Sequence, residues 1–127
     1  SFATLDIMRL ELNGGTVQFL KSGAAQSFLF RDGGLKAIGG QAFPAGILAE
    51  CTPDVSELKL FDGDVLLMTS DGVEDATARE ILRCNGMNAQ EIVTALGAKA
   101  LAQRTGGRRD DITIIAAKIS LHDENEK

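Results

Sequence analysis

The segment that most restricts the fold is Val65-Leu66-Leu67-Met68, a continuous apolar run held between two turn signals. Phe61-Asp62-Gly63-Asp64 precedes it and Thr69-Ser70-Asp71-Gly72 ends it. Successive side chains of a strand point to opposite faces, so an unbroken apolar run needs cover on both. The run is too short for a helix between two Asp-Gly pairs. It reads as a central strand with apolar layers above and below. The first turn signal reads as a hairpin turn.

The residues upstream read as further strands. Phe2 to Leu12 is extended, with Ala3, Leu5 and Ile7 on one face and Met8, Leu10 and Leu12 on the other. That change of phase predicts a bulge or a strand covered in part on both faces. Asn13-Gly14-Gly15 marks a tight turn, because Asn and Gly accept positive φ. Thr16 to Lys21, Ser27 to Phe30 and Leu35 to Ile38 continue the pattern, the last after the turn Arg31-Asp32-Gly33-Gly34. A Gly-rich loop with Pro44 and Pro53 spans about Gly39 to Asp54, and Val55, Leu58 and Leu60 resume the extended pattern.

After Gly72 the period changes. Thr77 with Glu80 forms a capping box ahead of Ile81 and Leu82, and Asn85-Gly86 ends that helix. Asn88 with Glu91 opens a second helix, whose stripe is Ile92, Val93, Leu96, Ala100 and Leu101 and whose stop is Gly106-Gly107. A β-branched strand, Ile112 to Ile119, closes the pattern. Many antiparallel strands, two late helices and a final strand define an α+β layered domain.

Composition excludes several classes. Thirteen Lys+Arg against eighteen Asp+Glu leave a net charge of −5, which gives no basic footprint for nucleic acid. No apolar run approaches the roughly 20 residues that span a bilayer, and the first residues do not form a secretory leader. Cys51 and Cys84 form no C-x-x-C pair, and the one histidine, His122, lies in the polar end. A Cys/His zinc site is therefore not expected, and the cysteines read as small buried thiols. The chain starts at Ser1 and is read as a portion of a longer protein.

Two acidic positions carry the chemistry. Asp71 follows the apolar run directly, and Gly72 lets the backbone approach a ligand closely. Asp110 and Asp111 precede the other strongly apolar strand. If these strands are antiparallel neighbours, the end of one lies beside the start of the other, and Asp71 meets Asp110 at one rim. Two carboxylates at a rim call for a cation between them, and hard oxygen ligands favour Mg²⁺, Mn²⁺ or Ca²⁺. Arg104, Arg108 and Arg109 lie near Asp110, where they could steer a phosphorylated or acidic partner, or serve only as helix-end and loop charges.

LFDGDVLLMTSDGVED resembles the Asp-Gly-Asp, apolar strand, Ser-Asp-Gly segment of the metal-dependent protein serine/threonine phosphatases, the PPM or type 2C class. GGRRDDITIIAAKI resembles the closing motif of that family, and Phe43-Pro44-Ala45-Gly46-Ile47 its Pro-x-Gly element. FATLDIMRLEL with VQFLKSGAAQSFLFRDG is similar to the bacterial branch that includes stage II sporulation protein E. The resemblance runs from Phe2 to about Ile119. It implies an antiparallel β-sandwich with flanking helices, present here as a partial domain: residues 1–119 as the C-terminal portion and 120–127 as a polar tail expected to be disordered.

It also implies a protein phosphatase, a hydrolase in which a metal-activated water attacks phosphoserine or phosphothreonine at a binuclear Mn²⁺ or Mg²⁺ site. By the motif, Asp71 and Asp110 are metal ligands, with Gly72 and Asp111 next to the metal and Arg108 and Arg109 available for substrate steering. The implied partner is a phosphorylated bacterial regulator of the anti-sigma factor antagonist type, in the cytoplasm, with any membrane anchor outside these residues. The family's other metal-binding aspartates belong to an N-terminal half that nothing here supplies. The expectation is a fragment that turns over no substrate and self-associates through surface normally covered. A non-catalytic regulatory module of phosphatase ancestry is the alternative. Asp62 also imitates the nucleophile of haloacid-dehalogenase phosphatases, but a strand starts at Val65 where a loop is required. An EF-hand starting at Asp62 fails because Leu67 and Val73 occupy its sixth and twelfth positions.

Overall fold

The computed structural model describes residues 5–39, 54–70, 73, 80–83, 86–103 and 111–121. Strands β1 (Leu5–Glu11), β2 (Thr16–Ser22) and β5 (Asp54–Lys59) form one sheet in the order β1-β2-β5. Strands β3 (Ser27–Arg31), β4 (Gly34–Ile38), β6 (Val65–Thr69) and β7 (Ile114–Lys118) form the other in the order β4-β3-β6-β7. Every pairing is antiparallel. A helix, α1 (Ala89–Ala102), and a 3-10 turn, Glu80–Arg83, cover the outer face of the four-stranded sheet.

The apolar run does what its length requires. Leu66 faces the space between the sheets and joins Val17, Phe19, Leu29, Ile38 and Leu60. Val65 and Leu67 face the other way and join Phe28, Phe30, Ile81, Ile92 and Leu96. Strand β6 thus separates two cores and lies between β3 and β7. Helix α1 opens on the predicted capping box: Asn88 accepts from the Glu91 amide at 2.8 Å, and Glu91 accepts from the Asn88 amide at 3.1 Å.

Four expectations change. Strand β1 pairs with β2 without interruption from Leu5↔Ser22 to Glu11↔Thr16, so there is no bulge. The two apolar sets of β1 are simply its two faces: Met8 and Leu10 pack inward, while Leu5 and Ile7 are exposed. The first predicted helix is, among the described residues, only the 3-10 turn Glu80–Arg83; Thr77 and Asn85 lie outside them. On α1 the buried stripe is Ile92, Leu96 and Ala100, and Leu101 is exposed, because only i, i+4 and i+8 stay on the face toward the sheet.

The fourth change concerns Phe61-Asp62-Gly63-Asp64, which is not a hairpin turn. Its flanking strands belong to different sheets, so it forms the corner that carries the chain across the sandwich. Gly63, at φ +88°, makes the turn, and the Asp64 amide donates to the Phe61 carbonyl at 3.1 Å. Leu60 is buried below, with its amide donating to the Gly15 carbonyl at 2.7 Å. The long-range tie is Arg31, whose Nε and Nη2 donate to the two carboxylate oxygens of the fully buried Asp64 at 2.8 and 2.7 Å. This hydrogen bonding raises the Arg31 pKa above its ordinary value. Leu121 docks on the corner as well: its amide donates to Asp62 Oδ1 at 2.9 Å.

Candidate metal centre

The end of the sandwich opposite that corner is built by β6 and β7. Their register runs from Val65↔Lys118 to Thr69↔Ile114, so β6 ends where β7 begins, as the rim argument requires. Ser70 extends the junction by one residue. Its amide donates to the Thr113 carbonyl at 2.9 Å, its Oγ accepts from the Thr113 amide at 2.9 Å, and Oγ also donates to the Asp111 carbonyl at 3.2 Å. One hydroxyl therefore fastens both sides of the rim. Val73 is buried, and its amide donates to the Ser70 carbonyl at 3.1 Å, which turns the chain immediately after the strand.

Of the predicted site residues, Asp111 is described: it is exposed, with its carbonyl on Ser70. Asp71, Gly72, Arg108, Arg109 and Asp110 lie outside the described residues, as do Arg104, the Pro44-Ala45-Gly46 element, Cys51, Cys84 and His122. Among the described residues no group of three or more His, Cys, Asp or Glu is placed to hold a metal ion. What the junction fixes is the neighbours: Ser70 precedes Asp71, and Asp111 follows Asp110. The donors so flanked are carboxylates, which suit a hard divalent cation.

Sequence reasoning missed a second feature of this end. Lys21 is buried, and its Nζ donates to Asp6 Oδ1 and to the Ala25 carbonyl, each at 2.8 Å. The signal was present: Val17, Phe19 and Lys21 share the inward face of β2. Asp62, by contrast, sits at the corner on the wrong end and accepts from Leu121. It is neither placed nor free to act as a nucleophile at the β6–β7 rim.

A two-layered antiparallel sandwich, helix-covered on one face, is the architecture that the chain shares with metal-dependent serine/threonine phosphatases of known structure. The family model for stage II sporulation protein E matches residues 1–120, and the chain belongs to that family. It is 30% identical over 128 residues to stage II sporulation protein E of Priestia megaterium, covering 93% of this chain and 22% of that protein. The phosphatase domain of the Bacillus subtilis cell-fate determinant SpoIIE superposes with a TM-score of 0.79 at 29% identity, over 95% of this chain and 57% of that one. The fold is shared with the catalytic domain of the serine/threonine protein phosphatase PstP, solved with two manganese ions: TM-score 0.72, 23% identity, 92% of this chain and 58% of that one. The chain thus spans about a fifth of the curated relative and just over half of the solved phosphatase domain. Among the described residues no helix is long and apolar enough to cross a membrane.

Proposed function

We propose that these residues are the C-terminal portion, residues 1–119, of a metal-dependent protein serine/threonine phosphatase domain, followed by a polar tail. The domain hydrolyses phosphoserine or phosphothreonine on a cytoplasmic bacterial regulator of the anti-sigma factor antagonist type. The observation that carries this reading is the β6–β7 junction, where Ser70 bonds to Thr113 and Asp111. It supports one rim for Asp71 and Asp110, each a single residue beyond a bonded position.

Asp71 and Asp110 would hold Mn²⁺ or Mg²⁺, with Gly72 leaving room for close backbone approach and Asp111 beside them. When bound, the metal supplies activation of water and neutralisation of phosphoryl charge. Ser70 keeps the two carboxylates in register across the rim. Arg108 and Arg109 attract the phosphorylated partner. Manganese is present in the solved PstP structure, and the Bacillus subtilis phosphatase domain was solved in a manganese-presoaked form, which supports the choice of ion.

The remaining ligands of a two-metal site would come from the part of the domain outside these residues. The 127-residue chain alone then binds the ion weakly and turns over no phosphoprotein. Its outer sheet face, with Ile7, Leu20 and Val55 in one cross-strand row, supports self-association in that form. The test is Mn²⁺-dependent release of phosphate from a phosphoserine regulator by the full-length protein carrying these residues. Asp71→Asn should abolish release, on the order of a hundredfold or more, while Asp62→Asn should leave it intact. Full activity in Asp71→Asn, or none in the parent with any phosphoprotein, overturns the reading, and the second result favours the regulatory module.

A further inference from the structure

We infer that Lys21 is a positioning residue for the metal-site end of the sandwich, an assignment that rests on the reading of that end given above. Both Lys21 and Ser70 lie one strand length from the same corner. Thr16 starts β2 beside the corner, because the Leu60 amide is bonded to Gly15, and Lys21 is five residues further on. Val65 starts β6 beside it as well, and Ser70 is again five residues further on. At the rise of a strand each lies about 17 Å away from the corner, at the opposite end of the sandwich.

Lys21 occupies a place where the neighbouring inward positions, Val17 and Phe19, are apolar and buried. An apolar side chain there would extend the core without the desolvation penalty of an ammonium. The ammonium instead joins three stretches of chain. Asp6 Oδ1 ties it to β1, and the Ala25 carbonyl ties it to the connection between β2 and β3. Its stem runs under Gly39, where a Cβ would collide with Lys21 Cδ. Gly39 also has a φ of +69°, so both backbone and space reserve the position for glycine.

The second observation at this end is Ser27. Its Oγ is fully buried and has no hydrogen-bond partner among the described residues. Ser27 is paired with Ile38, the residue before Gly39, and shares the inward face of β3 with Leu29. Two protons of the Lys21 ammonium are used, and the third has no partner among the described residues. A spare donor and an unpaired hydroxyl therefore stand at the same end of the interior, beneath the rim. Such groups are rarely left unpaired in a finished core. Lys21 sets where β4 ends, at Gly39, and holds the β2–β3 connection through Ala25. Through them it positions the end of the sandwich that carries Ser70 and Asp111, the neighbours of the proposed ligands.

The experiment uses the 127-residue chain with Mn²⁺ alone as the probe, read by paramagnetic broadening of backbone amides. In the wild type, broadening should centre on residues 70–72 and 110–113. Lys21→Met with Asp6→Leu removes both charges and keeps the interior apolar, so a folded chain is expected. This double variant should need at least about fivefold more Mn²⁺ for the same broadening, with altered shifts at Ala25 and Gly39. Gly39→Ala, which pushes Lys21 aside without removing it, should do the same and decides the matter if the double variant does not fold. An unchanged Mn²⁺ profile in a folded variant overturns the role of Lys21 and leaves the metal site standing. Broadening elsewhere in the wild type overturns the site itself, and with it the inference.

Discussion

Removing Arg31 should destabilise the protein at a place remote from the rim. In Arg31→Met, Asp64 Oδ1 loses its donor and Oδ2 keeps only the Phe61 amide, at 2.8 Å. Deleting one partner of a fully buried pair costs about 3–5 kcal/mol, whereas exposed pairs contribute only about 0–1 kcal/mol. Here the Asp64 side chain is 1% exposed and that of Arg31 34%, so water reaches one side of the gap. The expected loss is intermediate, about 2–3 kcal/mol. Two smaller losses lie within that figure: the bond from Arg31 Nη2 to the Lys59 carbonyl and the stacking of the guanidinium 4.6 Å from the Phe61 ring centre. The chain has no Trp or Tyr, so urea unfolding is best followed by far-ultraviolet circular dichroism. The midpoint should fall with the m-value unchanged. Arg31→Met in an Asp64→Leu background should cost at least about 1.5 kcal/mol less than in the wild type. The sign of the pH dependence is also set. A pKa raised above its ordinary value keeps Arg31 charged on both sides of the transition at neutral and mildly alkaline pH, so its contribution should stay flat there. An unfolding free energy within about 0.5 kcal/mol of wild type, or a loss that does not depend on Asp64, would refute the corner argument.

Three further outcomes can be checked. Leu66→Ala, at a residue with no exposed surface between the sheets, should cost about 2–5 kcal/mol in the same urea assay. Asn88→Ala removes the acceptor of the Glu91 amide and should cost about 1 kcal/mol, with faster amide exchange confined to the first turn of α1. Ser70→Ala deletes both hydroxyl bonds across the β6–β7 rim. It should lower stability by about 1 kcal/mol and raise the Mn²⁺ concentration needed for amide broadening near residue 71, two effects that a role in stability alone would not join.

What could be read from the residues follows the range of the interaction involved. Local signals were legible: Asn88 with Glu91 specifies its own cap, and Val65 to Met68 declares two-sided burial by its length. For β1 the change of phase left a bulge and a strand covered in part on both faces open, because alternation counts apolar residues on each face but not which face is covered. Leu5 and Ile7 are as apolar as Met8 and Leu10, yet they are exposed. The corner at Phe61 to Asp64 shows the harder limit. Gly63 makes the same backbone turn whether the next strand returns to its sheet or crosses to the other. The crossing is tied by Arg31, 33 residues before Asp64, through a pairing that no local pattern announces.

The same distinction explains why the candidate rim could be approached from sequence at all. Asp71 and Asp110 each border one of the two most apolar strands, of which β6 lies inside the four-stranded sheet and β7 at its edge. A strand inside a sheet has only two neighbours, and adjacent antiparallel strands bring the end of one beside the start of the other. The observed register, with Thr69 opposite Ile114, has that form. Lys21 escaped the same reasoning because a lysine in an alternating strand is ordinarily assigned to water. Its partners, Asp6 and the Ala25 carbonyl, come from an edge strand and a loop, and neither carries a pattern that marks it as buried. Polar residues that organise an interior are legible only once the fold has chosen which face of the strand is inside.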